Sequence, residues 1–337
     1  MLNGLQVALE IVARGGPLSA EAMQAAIGVV MAGEASPAQL GGLLMALRVR
    51  GETEDELLGA ALAMREAAVP VPHGLDHVLD TCGTGGDGGQ TFNISTTVAF
   101  VCTGAGVTVG KHGNRAVSSK AGSADVLEAL GVPLTTTPAA ASEALRGVGF
   151  AFLFAPAYHP ATRHASGVRR ELGVRTLFNL LGPLSNPARA THQMVGVPDV
   201  ARIAQMARVL GRLGSRRALV VCGEDGLDEV SPAAPTKLAF WDGQTVVLDT
   251  TTPEALGFTR VSVAEIAGGD AAENARLLRA VLAGQPGPHR DAVLLNAAWA
   301  LVAADRASSP ADGLSLARES LDSGRALRVL EHARAAL

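Results

Sequence analysis

Beyond Gly74 the chain alternates short aliphatic runs with helical stretches, and this alternation restricts it to an α/β fold. Strand-like runs occupy residues 78–80, 107–109, 150–154, 218–222, 237–241 and 245–249. Helical periodicity covers 96–103, 124–130, 139–145, 200–213, 271–283 and 291–304. Strands separated by helices pair in parallel, because a parallel connection needs a crossover of a dozen residues or more. The expected architecture is a central, largely parallel sheet. Trp241-Asp242-Gly243-Gln244 leaves no room for a helix between two runs, so a hairpin is predicted late in the chain.

Residues 1–68 read differently. Ser36-Pro37-Ala38-Gln39 and Thr53-Glu54-Asp55-Glu56 are capping boxes, the first with proline at the opening helical position. Leu40, Leu43, Leu44 and Leu47 recur at helical spacing. A small all-helical domain is predicted, with a role in packing or self-association. Val69-Pro70-Val71-Pro72-His73-Gly74 is the expected linker. Apolar residues make up 48% of the chain and aromatics only 3%, so the core should be aliphatic.

Two glycine-rich segments dominate the chemistry. In Gly83-Thr84-Gly85-Gly86-Asp87-Gly88-Gly89, glycines let a backbone approach a phosphate closely, and the next helix can aim its N-terminus at it. The pattern formally matches a dinucleotide fingerprint, but that would need an acid about 20 residues on. Instead, no carboxylate occurs between Asp87 and Asp125. Within that gap Asn93, Ser95 and Thr96 suit helix capping, phosphate oxygens or magnesium. The second segment, Lys111-His112-Gly113-Asn114-Arg115-Ala116-Val117-Ser118-Ser119, adds cations, a tight turn and hydroxyls. Of 28 cationic residues only three are lysines, and Lys111 and Lys120 both lie in this span. Each segment follows a strand, at the carboxyl edge where α/β ligands bind. A bound anion is expected.

Two further segments carry charge. Gly223-Glu224-Asp225-Gly226-Leu227-Asp228-Glu229-Val230 follows a strand, and its paired carboxylates Asp228 and Glu229 suit magnesium bound together with substrate phosphate. By itself such a run reads as an exposed acidic turn. Arg169, Arg170 and Arg175 could hold a carboxylate substrate or pair with Glu171, and spacing leaves both options open.

A formal charge of -4 argues against a general nucleic-acid binder, which needs broad positive surface. Cys82, Cys102 and Cys222 are too few and scattered for a disulfide frame or a zinc site, and they fit a reducing cytoplasm. The first residues lack the pattern of an export signal, and no run reaches the length of a membrane helix.

Together, Gly83-Thr84-Gly85-Gly86-Asp87, Asn93-Ile94-Ser95-Thr96, Lys111-His112-Gly113-Asn114-Arg115, Arg169-Arg170-Glu171-Leu172-Gly173 and Asp228-Glu229 resemble the anthranilate phosphoribosyltransferases of tryptophan biosynthesis. The likeness spans nearly the whole chain and extends to Gly268-Gly269-Asp270, Asn274 and Asn296-Ala297-Ala298. It implies transfer of phosphoribose from 5-phosphoribosyl 1-diphosphate (PRPP) to the amine of anthranilate, giving N-(5-phosphoribosyl)anthranilate and diphosphate. It implies a fold similar to that of the nucleoside phosphorylases. The helical domain would span 1–70 with a later contribution near 160–185, the α/β PRPP-binding domain would span 75–337, and the active site would lie in the hinge. A homodimer and two magnesium ions per monomer are also implied.

Carried over by residue, Gly83, Gly86, Asp87, Thr91, Asn93, Ile94, Ser95, Thr96, Lys111, His112, Gly113, Asn114, Arg115, Ala116, Val117, Ser118, Ser119 and Ser123 would bind PRPP. Ser95, Asp228 and Glu229 would hold magnesium, and Gly83, Asn114 and Arg169 would meet anthranilate. No covalent nucleophile is expected. Tyr158 and Thr162 stand where the family often has histidine and methionine. The rival readings are a pyrimidine nucleoside phosphorylase of similar fold and a non-catalytic nucleic-acid-binding relative.

Overall fold

The computed structural model describes residues 3–86, 89, 91–116, 120–134 and 137–335. Four helices open the chain: α1 (Gly4–Ala13), α2 (Ala20–Met31), α3 (Pro37–Arg50) and α4 (Glu54–Glu66). Then follow β1 (Leu79–Gly83), α5 (Ile94–Gly104), β2 (Val109–Gly113), α6 (Ser123–Ala129), α7 (Pro138–Gly147) and β3 (Phe150–Phe154). A helical stretch comes next: α8 (Ala155–Tyr158), α9 (Arg163–Leu172) and α10 (Phe178–Leu184). The chain continues with β4 (His192–Gly196), α11 (Val200–Arg212), β5 (Arg217–Gly223), β6 (Thr236–Trp241) and β7 (Val246–Thr251). It ends with α12 (Ala271–Leu282), α13 (Pro288–Ala303), α14 (Pro310–Asp322) and α15 (Arg325–Ala335).

Two compact units result. The first comprises Met1–Pro70 and Ala155–Pro187, the second Val71–Phe154 and Ala188–Leu337. In the first, both predicted capping boxes form, with Ser36 and Thr53 accepting from the third-position N–H groups. Glu56 is fully buried, and it is held by Arg50 and by the N–H groups of Leu18 and Thr53. A buried carboxylate needs such partners. Helices α2 and α4 cross closely at Gly59, where a Cβ would overlap the Ala20 carbonyl.

The second unit is built on one seven-stranded sheet of order β3-β2-β1-β4-β5-β6-β7. Strands β1 to β5 are mutually parallel, while β6 and β7 are antiparallel additions joined by the expected hairpin. Its core is aliphatic, with a stacked Phe100–Phe150 pair at 4.5 Å. The direction of strand succession reverses between β1 and β4. In doubly wound sheets that switch point opens a crevice at the carboxyl ends.

Several elements differ from expectation. Strands β1 and β2 run on to Gly83 and Gly113 rather than stopping at residues 80 and 109. Pairing overrides the poor strand propensity of their glycines and charges. β1 pairs with β4 from Leu79↔His192 to Gly83↔Gly196, and β2 with β3 from Val109↔Phe150 to Gly113↔Phe154. Strand β4 was not anticipated, because buried His192 and Gln193 disguise it. Nor were α14 and α15, whereas α9 and α10 fall in the later helical contribution near 160–185 that the resemblance implies.

Candidate active site

The β1 loop leaves the sheet at the switch point. The Thr84 N–H still bonds the Gly196 carbonyl, at 2.9 Å, and keeps this loop against β4. Gly85 and Gly86 then adopt φ of 62° and 106°, which favours glycine. A Cβ at Gly83 would strike the Asp228 carboxylate, and one at Gly196 would overlap the Asp228 carbonyl oxygen. These glycines therefore admit a remote acidic loop to the sheet edge.

That loop turns inward. Glu224 and Asp225 are exposed, but Asp228 is only 8% exposed. The Gly85 N–H donates to Asp228 Oδ2 at 2.9 Å. The Ser95 N–H, in the first turn of α5, donates to Glu229 Oε1 at 3.1 Å. Orphan N–H groups and the helix dipole both favour a carboxylate there. Burial and these two bonds thus weigh against the alternative of a solvated acidic turn.

The start of α5 gathers further groups. Asn93 occupies the N-cap position, but its side chain makes no capping bond. Instead Nδ2 donates to the Ala121 carbonyl at 3.2 Å, and Oδ1 accepts from Asn274 Nδ2 at 2.9 Å. Ile94 is buried beneath the site. Thr96 is also buried, and its hydroxyl is closed off from solvent with no hydrogen-bond partner. Thr91 forms a single antiparallel bridge with Ala267.

Strands β1 and β2 are in register only at Leu79↔Val109. Farther along, side chains link them. Lys111 Nζ donates to the Thr81 carbonyl and, at 3.4 Å, to Ser95 Oγ. The His112 N–H donates to Asp80 Oδ1 at 3.1 Å. Lys111 is buried, which pulls its pKa below the ordinary lysine range against the attraction of Asp80, Cys82 and Glu229. Burial and Asp80 push the Cys82 thiol well up, so it is no ready nucleophile.

Past β2, Gly113 leaves room for Ser123 Oγ and the Phe152 ring, both of which a Cβ would strike. Ser123 Oγ donates to the Asn114 carbonyl at 3.3 Å, and Asn114 Oδ1 accepts the Arg115 N–H at 2.7 Å. Arg115 is engaged by Asp125 and Glu128 and lies over Phe154. Asp125 also accepts the N–H groups of Ala116 and Gly122, both at 2.9 Å. The acid that ends the carboxylate-free span therefore closes the base of the second loop. Asp87, Val117, Ser118 and Ser119 lie outside the described residues.

Gly83, Gly85, Ser95, Lys111, Asp228 and Glu229 thus meet at one sheet edge, and Asn93 ties the second loop to it through Ala121. Arg169 belongs to the helical unit, on α9, with its guanidinium carbon 5.2 Å from the Phe178 ring centre. Burial lowers its pKa.

The Ser95 hydroxyl and the two carboxylates are oxygen donors, as magnesium requires. Among the described residues no three His, Cys, Asp or Glu side chains form a ready-made cage. A carboxylate pair fits magnesium, which completes its sphere with substrate phosphate and water.

Sequence reasoning missed Asp80 and Gly196, and it gave Asn274 and Asn296 no role. The run Gln193-Met194-Val195-Gly196 before Pro198 was the available signal: like β1 and β2, it is an extended run ending in glycine.

Comparison with known proteins identifies the family. Residues 75–327 match "Glycosyl transferase family, a/b domain", and residues 6–68 match "Glycosyl transferase family, helical bundle domain". An anthranilate phosphoribosyltransferase from Symbiobacterium thermophilum is 52% identical, covering 98% of this chain and 97% of its own. The crystal structure of the Thermus thermophilus enzyme superposes with a TM-score of 0.93 at 46% identity, over 98% of both chains. The Saccharomyces cerevisiae enzyme in complex with PRPP and Mg superposes with a TM-score of 0.88 at 29% identity, covering 99% of this chain and 98% of that one. The same yeast enzyme is also known with 4-fluoroanthranilate. The chain belongs to the anthranilate phosphoribosyltransferase family.

Proposed function

We infer that this protein transfers the 5-phosphoribosyl group of PRPP to the amine of anthranilate in tryptophan biosynthesis, releasing diphosphate. One observation carries the site assignment. Asp228 and Glu229 engage two separate phosphate-suited elements, the Gly85 turn 143 residues away and the α5 N-terminus 134 residues away.

On this reading the glycine turn, the first turn of α5 and the loop from Lys111 to Ser123 cradle the donor's phosphates. Ser95, Asp228 and Glu229 would hold magnesium, which supplies charge neutralisation for the departing diphosphate. Two ions per monomer are proposed, as the resemblance implies. Arg169 would take the anthranilate carboxylate by paired hydrogen bonds, with Asn114 and the Gly83 backbone also meeting the acceptor. The arylamine is neutral near pH 7 and attacks ribose C1 while the C1–O bond to diphosphate breaks; its proton then passes to water. Positioning supplies much of the acceleration.

The helical unit, spanning 1–70 with the later helices near 160–185, would form a homodimer. The exposed Val7 and Val49 are apolar surface that such a contact could cover. All three cysteines are free, which supports a reducing cytoplasm. Among the described residues no helix is long and apolar enough to cross a membrane.

Calorimetric titration with PRPP tests the assignment. Binding should depend on added magnesium, and the dependence should vanish in the Asp228→Ala/Glu229→Ala protein. Equal affinity with and without magnesium in the unaltered protein would contradict it.

A further inference from the structure

We propose that Asn296 is a positioning residue that fixes the acidic loop by acting as a surrogate strand for Val230. The proposal rests on the reading of Asp228 and Glu229 as metal ligands. Asn296 sits on α13, fully buried among Val293, Leu294, Leu295, Ala297 and Ala298. A polar side chain in such an aliphatic layer is costly unless bonded. Here both Nδ2 hydrogens are donated and Oδ1 accepts. Oδ1 accepts the Val230 N–H at 2.8 Å, and Nδ2 donates to the carbonyls of Val230 and Ala292, both at 2.9 Å.

The geometry is specific. Both backbone groups of one loop residue are bound by one side chain, as they would be by a neighbouring strand. That residue directly follows Glu229. On its other side Ser231 is fastened by its N–H to Thr236 Oγ1, at 2.9 Å, and by its hydroxyl to Asp225, at 2.6 Å. The loop is therefore anchored immediately beyond the two carboxylates, while their far ends meet Gly85 and Ser95. An aliphatic residue at 296 could fill the space but would leave Val230 unbonded.

Ser320 on α14 provides an internal control. It is equally buried, and its hydroxyl donates to the Val101 carbonyl at 2.8 Å, towards the end of α5 away from the site.

The test compares Asn296→Ala with Ser320→Ala in the full-length protein, by thermal unfolding and by rate against magnesium concentration at fixed PRPP. Loss of an outer-shell partner typically costs about 10–100-fold in metal affinity. Asn296→Ala should raise the half-saturating magnesium concentration by about tenfold or more, with the anthranilate KM changed less than about twofold. Ser320→Ala should also lower Tm while leaving the magnesium curve within about twofold. Equal magnesium shifts in both, or a Tm loss in Asn296→Ala with an unchanged curve, would overturn the proposal. If Asn296→Ala does not fold, hydrogen exchange on the unaltered protein decides. The Val230 amide should exchange as slowly as the amides of α13 without magnesium or PRPP, and fast exchange there would overturn it. If Asp228→Ala/Glu229→Ala leaves the magnesium curve unchanged, the metal-ligand reading fails instead.

Discussion

The carbonyl of Asp228 lies against the α-carbon of Gly196, so that no side chain fits at the carboxyl end of β4. This contact joins the sheet's switch point to the acidic loop. A methyl group there must push away backbone, which has no rotamer to yield. Gly196→Ala should displace Asp228 and Glu229 while the sheet survives. Overpacking of this kind costs about 1–3 kcal/mol. The expected result is a kcat/KM at least about tenfold lower, with the far-ultraviolet spectrum unchanged. Unaltered steady-state kinetics would show that the loop has room to move.

On the proposed reading Arg169 would hold the acceptor and not the donor. Arg169→Ala should raise the anthranilate KM by about 10–100-fold, as expected for losing a charge-assisted pair, with the PRPP KM within about twofold. Phe178→Leu removes the ring beneath the guanidinium and should have a smaller effect of the same kind, up to about tenfold. A change confined to the PRPP KM would remove Arg169 from the acceptor site.

Legibility followed the range of the signal. The hairpin at Asp242-Gly243 and the caps at Ser36 and Thr53 are local devices and were readable. The two glycine turns and the acidic pair were recognisable as phosphate and metal chemistry, because their residue types are unusual in ordinary turns. Their convergence was not readable from spacing, since Gly85 and Asp228 are brought together only by strand order. Asn93 shows the same limit. Its position at the start of α5 was evident, but the partner that takes it from capping duty, Asn274, lies 181 residues away. Asp80 was overlooked because a lone buried acid at the start of a strand resembles any other until His112 is seen to bond it.

Protonation of His192 should weaken the fold in mild acid. The ring is buried, stacked 5.0 Å from His77, and within the influence of Arg216 and Arg217, which Asp305 partly offsets. Thr191 Oγ1 bonds its Nδ1 at 2.9 Å. Burial first, and His77 next, lower its pKa from the ordinary 6.5 to about 4. The folded state thus holds the ring neutral where the unfolded chain would protonate it. Its contribution is complete above pH 6.5 and is lost as pH falls towards 4, up to about 3 kcal/mol. Urea midpoints at pH 7.5 and 4.5 should differ less for His192→Gln than for the unaltered protein. Equal differences would contradict the assignment.

On the proposed reading, two glycine-lined turns and the Asp228–Glu229 loop would hold one magnesium-chelated PRPP for attack by anthranilate. The most direct test of that reading is the initial rate of anthranilate fluorescence loss with PRPP across a magnesium series, for the unaltered protein and for Asp228→Ala/Glu229→Ala. Saturable, magnesium-dependent consumption, abolished by chelation, is expected in the first. In the second the rate should be at least about 100-fold lower at the same magnesium concentration. Consumption that proceeds without magnesium, or at equal rates in both proteins, would contradict it.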